Sequence, residues 1–393
     1  MAGGGIRQPE SRLSLDPSAI PLSLYVHIPW CVRKCPYCDF NSHAQRGELP
    51  EQAYVDALIA DLQLDSEASG GRPIQSVFFG GGTPSLFSPG AIGRFLAAAD
   101  RLAPFADDVE ITLEANPGTL EATRFAGYRA AGVNRLSMGI QSLADDKLAA
   151  LGRIHGREEA LSAVRSARQA GFDNFNLDLM YGLPGQSLRQ AQADLRELLD
   201  LGPRHVSWYQ LTLEPNTLFY RRPPSLPGDD AIGDIMDMGL QLLAEQGYRQ
   251  YEISAHAHPG HECRHNLNYW QFGDYLGIGA GAHAKLTRGD GHIQRSVRQR
   301  HPQAYLENEE RLSSRRLLSA GELPIEFMLN ALRLNDGVDS ACYEARTGHA
   351  LTPIQAQLEL AREKGLLDRD ARRLRPTSLG RRFLNDLLAI FEP

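Results

Sequence analysis

The sequence predicts an α/β protein: a partial (β/α)6, TIM-like barrel followed by a small, mainly helical, winged-helix-like C-terminal domain. Three observations predict it. Short apolar runs alternate with amphipathic stretches at roughly thirty-residue spacing, the size of a βα unit. Loops rich in Gly, Asn, Gln and Cys all follow the C-terminal ends of the strand-like runs, and in parallel barrels those ends share one face. Beyond about residue 310 the pattern changes to short helical segments with an Arg-rich hairpin over 369–375.

The strand-like runs are 22–28, 74–79, 109–113, 134–137, 174–180 and 205–211. Helical patterns separate them over 51–64, 89–101, 120–131, 157–170 and 187–199. Residues 229–245 read as a helix and 251–254 as a strand. The expected organisation is a disordered tail over 1–21, a barrel core over 22–225, an extension over 226–305 and a C-terminal domain over 306–393.

Composition narrows the function class. The chain has 393 residues, enough for one large and one small domain. Its 41 basic and 48 acidic residues give a net charge of −7, so no nucleic-acid footprint is expected. No apolar run reaches transmembrane length, which leaves peripheral contact as the only expected relation to a membrane. The Gly/Ser/Pro-rich start lacks the apolar core of a secretory signal. Of five cysteines, three are clustered, which argues against a disulfide framework and for a reducing, cytoplasmic location.

That cluster is Cys31-x3-Cys35-x2-Cys38, directly after the first strand. Three thiolates at this spacing can hold three irons of a 4Fe–4S cluster and leave the fourth open. Zinc usually takes four ligands, and no fourth lies close by. Trp30, Tyr37 and Phe40 flank the thiolates and can limit water access. Gly80-Gly81-Gly82-Thr83 follows the second strand and reads as a turn or as a cradle of free N–H groups. Glu114 and Asp178 end the third and fifth strands, and Gln141 and Arg153 follow the fourth. Taken singly, each is as consistent with a cap or a surface polar group as with a ligand contact.

A His/Cys tract over 256–270 has three readings. His265 is an axial haem ligand with Tyr269 and Trp270 as aromatic walls. Alternatively, several of His258, His261, Cys263 and His265 form a structural metal site. The third reading is a polar loop with scattered histidines. Gly277-Ile-Gly279-Ala-Gly281 does not open a βαβ unit, so close backbone packing is expected there rather than a dinucleotide site.

The cysteine motif, Tyr25-x-His27-Ile-Pro29-x-Cys31, Gly80 to Pro84, Arg135 to Ser142 and Asp178 to Gly185 together resemble the radical S-adenosylmethionine (radical SAM) superfamily. The likeness is greatest to its oxygen-independent coproporphyrinogen III dehydrogenase (HemN-type) and HemW-type haem chaperone branch, and it runs from about Tyr25 almost to the C-terminus. It implies a partial (β/α)6 radical SAM barrel with a HemN-like C-terminal domain. It implies a 4Fe–4S cluster on Cys31, Cys35 and Cys38, and S-adenosylmethionine contacted by Tyr25, Tyr37, Gly81, Gly82, Thr83, Glu114, Gln141, Arg153 and Asp178. The family's dehydrogenases carry a fourth cysteine where this chain has Phe40, and HemW-type proteins carry an H-N-x-x-Y-W motif, matched by His265 to Trp270. The resemblance therefore implies a haem chaperone that serves respiratory cytochrome proteins. Oxidative decarboxylation of coproporphyrinogen III is the alternative.

Overall fold

A computed structural model describes residues 15–392. Six parallel strands follow one another across the sheet: β1 (Leu22–Ile28), β2 (Ile74–Gly81), β3 (Phe105–Ala115), β4 (Arg135–Gln141), β5 (Phe175–Tyr181) and β6 (His205–Gln210). Five helices connect them: α1 (Glu51–Ser66), α2 (Pro89–Leu102), α3 (Thr119–Ala130), α4 (Arg157–Gln169) and α5 (Leu188–Asp200). The expected βα repeat is therefore present, with boundaries moved by a few residues.

The caps explain several of those boundaries. Ser88 accepts the Ala91 N–H ahead of α2, with Pro89 at the first helical position. Ser187 and Gln190 form a reciprocal capping box ahead of α5.

The sheet continues at both edges. After α6 (Asp229–Glu245) come β7 (Arg249–Gln250) and β8 (Ala255–Ala257), which pair antiparallel with each other, β8 also pairing antiparallel with β6. Residues 251–254, expected as a strand, form the turn between them: Tyr251 N–H donates to Ala255 O, and the Glu252 carboxylate accepts from Ser254. A short helix, α7 (Arg264–Trp270), leads to β9 (Asp274–Ile278), which pairs parallel with β1. Then β10 (His283–Thr287), β11 (Ile293–Arg298) and β12 (Leu312–Leu317) extend that edge antiparallel. The spatial order is β12-β11-β10-β9-β1-β2-β3-β4-β5-β6-β8-β7, an open sheet rather than a closed barrel.

β9 is the seventh parallel strand, in the segment read as Gly-rich close packing. Both descriptions hold. A Cβ on Gly277 would lie 1.8 Å from His283 O, and one on Gly279 (φ +98) would lie 2.3 Å from His27 O. Glycine is required at each by the closeness of the next backbone.

The apolar faces of β1–β6 meet the helices in the main core, with Leu24, Val26, Val77, Phe79, Leu113, Leu136, Leu177 and Leu179 fully buried. A second core gathers Phe327, Met328, Leu358 and Leu387 of the C-terminal helices and Leu374 of a short strand with Phe272 and Tyr251. The 369–375 hairpin turns back, Asp368 N–H donating to Arg375 O.

The expected disordered tail over 1–21 falls partly outside the described residues. Within them, Pro17–Ala19 forms a 3-10 turn capped by Asp16. Ile20 is buried and Pro21 O accepts the Asp274 N–H, so order begins before residue 22. No helix among the described residues is long and apolar enough to cross a membrane.

Gly277→Ala should cost at least about 1–3 kcal/mol, the usual range for overpacking. Gly289→Ala, where nothing lies within 4 Å, should stay within about 0.5 kcal/mol. Urea unfolding midpoints of the two variants compare them directly.

Candidate active site

Residues along a strand alternate between its two faces. In β1–β6 one face is apolar and packed on helices. The other is polar and meets in the half-barrel interior: Ser23, Tyr25 and His27; Ser76 and Phe78; Glu110, Thr112 and Glu114; Arg135, Ser137 and Gln141; Asn176 and Asp178; His205, Ser207 and Tyr209. A closed TIM barrel fills this space with Val, Ile and Leu. Here it is a cavity of about 560 Å³.

Cys31, Cys35 and Cys38 line the cavity's upper wall as free, half-buried thiols. The loop that carries them is pinned by short-range bonds. Cys38 N–H donates to Cys35 O, Cys38 Sγ lies 3.6 Å from Ser42 Oγ, and Lys34 Nζ donates to Phe40 O and Ser42 O. Burial raises the Cys31 thiol pKa, followed in effect by a lowering hydrogen bond to Thr83. Of the flanking aromatics, Tyr37 lines the cavity and Phe40 is 62 % exposed at its mouth. Trp30 turns away and packs edge-on against Tyr54 at 4.7 Å.

The Gly80–Thr83 loop lies against the cysteine loop. Gly82 N–H donates to Ile28 O, Thr83 N–H to Trp30 O, and Gly81 N–H to Glu114 Oε2 at 3.2 Å. These donors are therefore taken, and the cradle of free N–H groups is not there. The glycines serve close approach instead: a Cβ on Gly82 would sit 2.5 Å from Trp30 O, and one on Gly81 2.5 Å from the His27 ring.

Arg153 is the hub of the upper layer. It donates to Asn116 Oδ1 (2.5 Å), Gly139 O (2.8 Å) and Cys35 Sγ (3.7 Å). Asn116 in turn donates to Thr83 Oγ1. Burial opposes the Arg153 charge, but Tyr37 and Cys35 outweigh it and its pKa is raised. Gln141 ends β4 with φ +70, a sparsely populated conformation for a non-glycine residue, and its Oε1 accepts the Tyr209 hydroxyl at 2.7 Å.

Glu114 is pushed up to about 8, by burial first and by the Asp178 carboxylate second. Burial also raises Asp178, which sits mid-strand rather than at the strand end and accepts from Asn176 Nδ2 at 2.7 Å.

The lower end is closed by α7. Glu110 Oε1 caps its first turn, accepting from Arg264 N–H (3.0 Å) and His265 N–H (3.4 Å). His265 is stacked on Phe78 at 5.1 Å, with Tyr269 edge-on at 4.7 Å. Its Nδ1 bonds Ser76 Oγ, which bonds Ser23 Oγ, and its Nε2 is buried without a partner. Burial depresses the imidazole to about 3, helped by the nearby Arg135 charge. His265 and Tyr269 line the same cavity as the thiols. They lie at the other end of it: Ser76 to Gly81 spans about 16 Å of strand at ~3.3 Å per residue.

Trp270 does not belong to this wall. It faces the C-terminal domain, where the Arg333 guanidinium lies 4.3 Å over its ring. The structural-metal reading also fails among the described residues, where no three His, Cys, Asp or Glu side chains come together to hold one ion. Cys263 lies against Glu110, His258 stacks on Tyr248, and His265 is held by Ser76. The three cavity thiols likewise do not close on one point.

Family comparisons agree with this geometry. The radical SAM superfamily model matches residues 25–198 and the HemN C-terminal domain model matches residues 318–383. Heme chaperone HemW of Escherichia coli is 52 % identical over 94 % of this chain and 98 % of its own length.

The chain belongs to the HemW family of radical SAM proteins.

HemW of Haemophilus influenzae is 51 % identical over 95 % of this chain and 99 % of its own. The solved structure of coproporphyrinogen III oxidase (HemN) from Escherichia coli, a radical SAM enzyme, matches with a TM-score of 0.80 at 26 % identity, over 95 % of this chain and 91 % of that one. Radical SAM membership implies a 4Fe–4S cluster and S-adenosylmethionine, and the free thiols and polar wall of the cavity fit both.

Ser76, Glu110, Arg135, Asn176, His205, Ser207 and Tyr209 were absent from the sequence-based site. Their signal was present: polar residues at period two inside otherwise apolar strands, as in Phe175-Asn176-Leu177-Asp178-Leu179.

A raised folded-state Glu114 pKa gives stability that is complete below the unfolded value near 4.5 and is lost as pH rises through about 8. Glu114→Gln keeps the acceptor and removes the titration. In ligand-free protein its melting temperature should match wild type near pH 5 and exceed it at pH 8.5; parallel melting profiles across that range would refute the assignment.

Proposed function

We propose that this protein binds haem and passes it to haem-requiring proteins, on a scaffold that also holds a 4Fe–4S cluster and S-adenosylmethionine. One observation carries the reading: a single cavity joins three free thiols at its mouth to an unpartnered imidazole nitrogen at its closed end. The relatives named heme chaperone HemW, at 51–52 % identity over nearly the whole chain, support it.

On this reading Cys31, Cys35 and Cys38 hold the cluster. Gly81, Gly82 and Thr83 border the methionine part of S-adenosylmethionine. Tyr25, Tyr37, Glu114, Gln141, Arg153 and Asp178 surround the remainder. When bound, cluster and cofactor supply one-electron reductive chemistry at a sulfonium. The chain's own contribution is positioning. Arg153 is held at a fixed height by Asn116 and Gly139, and the protonated Glu114 spares the cavity a second negative charge beside Asp178.

His265 is the haem ligand. Its depressed pKa keeps the imidazole neutral at physiological pH, so a lone pair is available. In the tautomer whose Nδ1–H donates to Ser76 Oγ, that lone pair is on Nε2 and the hydrogen bond orients the ring. Tyr269 packs on the ring edge; Trp270 is reassigned to the domain contact. Haem-receiving respiratory proteins of the cytochrome type are the expected clients, met from the cytoplasmic side.

Coproporphyrinogen III dehydrogenation has the HemN fold match in its favour. Against it stands Phe40, a surface aromatic where the resemblance places a fourth cysteine in the dehydrogenases.

Anaerobic reconstitution with iron and sulfide should give cluster absorbance that Cys35→Ser abolishes. Haem titration should give a Soret band, with affinity reduced roughly tenfold or more in His265→Ala, the usual scale for losing a metal-site group. Unchanged affinity in that variant removes His265 from the site. Protoporphyrinogen formed from coproporphyrinogen III would overturn the chaperone reading.

A further inference from the structure

Arg135 opens β4 and lines the cavity, yet its residue surface is only 2 % exposed. Among the described residues no hydrogen bond and no ion pair reaches its guanidinium, and Nε is buried without a partner. The two other buried arginines differ. Arg298 is paired with Asp61 and Asp65, and Arg72 with Asp274. Burying a guanidinium without an acceptor is costly, and buried arginines are normally paired.

The nearby Asn176 amide is engaged elsewhere, and neither the Glu110 nor the Asp178 carboxylate forms an ion pair with Arg135. Asn176 Oδ1 accepts from Ser207 Oγ (3.1 Å) and His205 Nδ1 (2.7 Å). Its amide donates to Ser137 Oγ and Asp178 Oδ1. Glu110 Oε1 is spent on the first turn of α7. Burial opposes the Arg135 charge, but Cys263, Glu110, Tyr251 and Asp178 outweigh it without an ion pair, and its pKa is raised. The result is a fixed, planar cation with free donors at the closed end of a ligand cavity, a shape suited to bidentate capture of a carboxylate.

We propose that Arg135 is a carboxylate-binding subsite and that, resting on the haem reading above, it takes a propionate of the porphyrin bound at His265. The layout fits. Phe78, on which His265 stacks, is in register with Thr112, and Thr112 with Arg135. Two strand spacings separate Phe78 from Arg135, about 10 Å. That is the scale on which a porphyrin's propionate arms reach out from its iron.

The test compares haem with haem dimethyl ester on the full-length, cluster-loaded protein, in the same detergent. Wild type should bind haem at least tenfold more tightly than the ester. Arg135→Gln should bring the two to equal, weak affinity, and Arg135→Lys should restore part of the preference. Equal wild-type affinity for acid and ester, with haem uptake intact, overturns this assignment alone. Preference retained in Arg135→Gln does the same. A loss confined to S-adenosylmethionine affinity would give the guanidinium to the cofactor's carboxylate instead and also overturn it. No haem uptake at all would sink the functional reading and this subsite together. The ester comparison on wild type needs no variant to fold.

Discussion

Strand alternation is the constraint on which the rest of this structure depends. Six parallel strands carry apolar residues on one face and polar ones on the other. The apolar face must be covered, and α1–α5 cover it. The polar face cannot pack dry, so the interior of the half-barrel becomes a cavity whose groups either bond one another or are left for a ligand. Asn176, His205, Ser207 and Tyr251 take the first course, linked in one chain of hydrogen bonds. Arg135 Nε and His265 Nε2 are buried without a partner.

A half-barrel needs its ends and edges closed by something other than its own curvature. At the closed end α7 seals the cavity, its first turn held by Glu110 from β3. At one edge β9 adds a parallel strand, fixed by a buried cluster in which Asp274 meets both Lys285 and Arg72. Burial works against that carboxylate's charge, but the two cations outweigh it and hold its pKa low. The antiparallel strands beyond β9 and β6 continue the sheet, so neither face of the parallel core presents a bare edge. These additions close the lower end and the edges of the interior and leave the thiol end open.

The same arrangement separates two chemistries along one axis. Thiols, Arg153 and Glu114 are at the strand C-termini, where parallel barrels place their reacting groups. His265 and Arg135 are at the opposite ends of the strands. The HemN structure shares the scaffold, so the fold alone does not separate the two branches.

Much of this was legible in the amino-acid order. The βα repeat, the helix starts at Glu51, Pro89 and Arg157 and the cysteine motif follow from local patterning and spacing, because period, caps and short-range ligand geometry are properties of neighbouring residues. Tyr25, Glu114, Gln141, Arg153 and Asp178 all line the cavity. What only the tertiary structure decided was which polar groups were left over. Nothing in the sequence marks the N–H groups of Gly81, Gly82 and Thr83 as taken, or Trp270 as turned to the C-terminal domain. Nor does it mark Arg135 as unpaired or Asp274–Ile278 as a parallel strand beside β1. Each depends on a partner tens to hundreds of residues away, and hydrogen-bond satisfaction is a sum over neighbours in space.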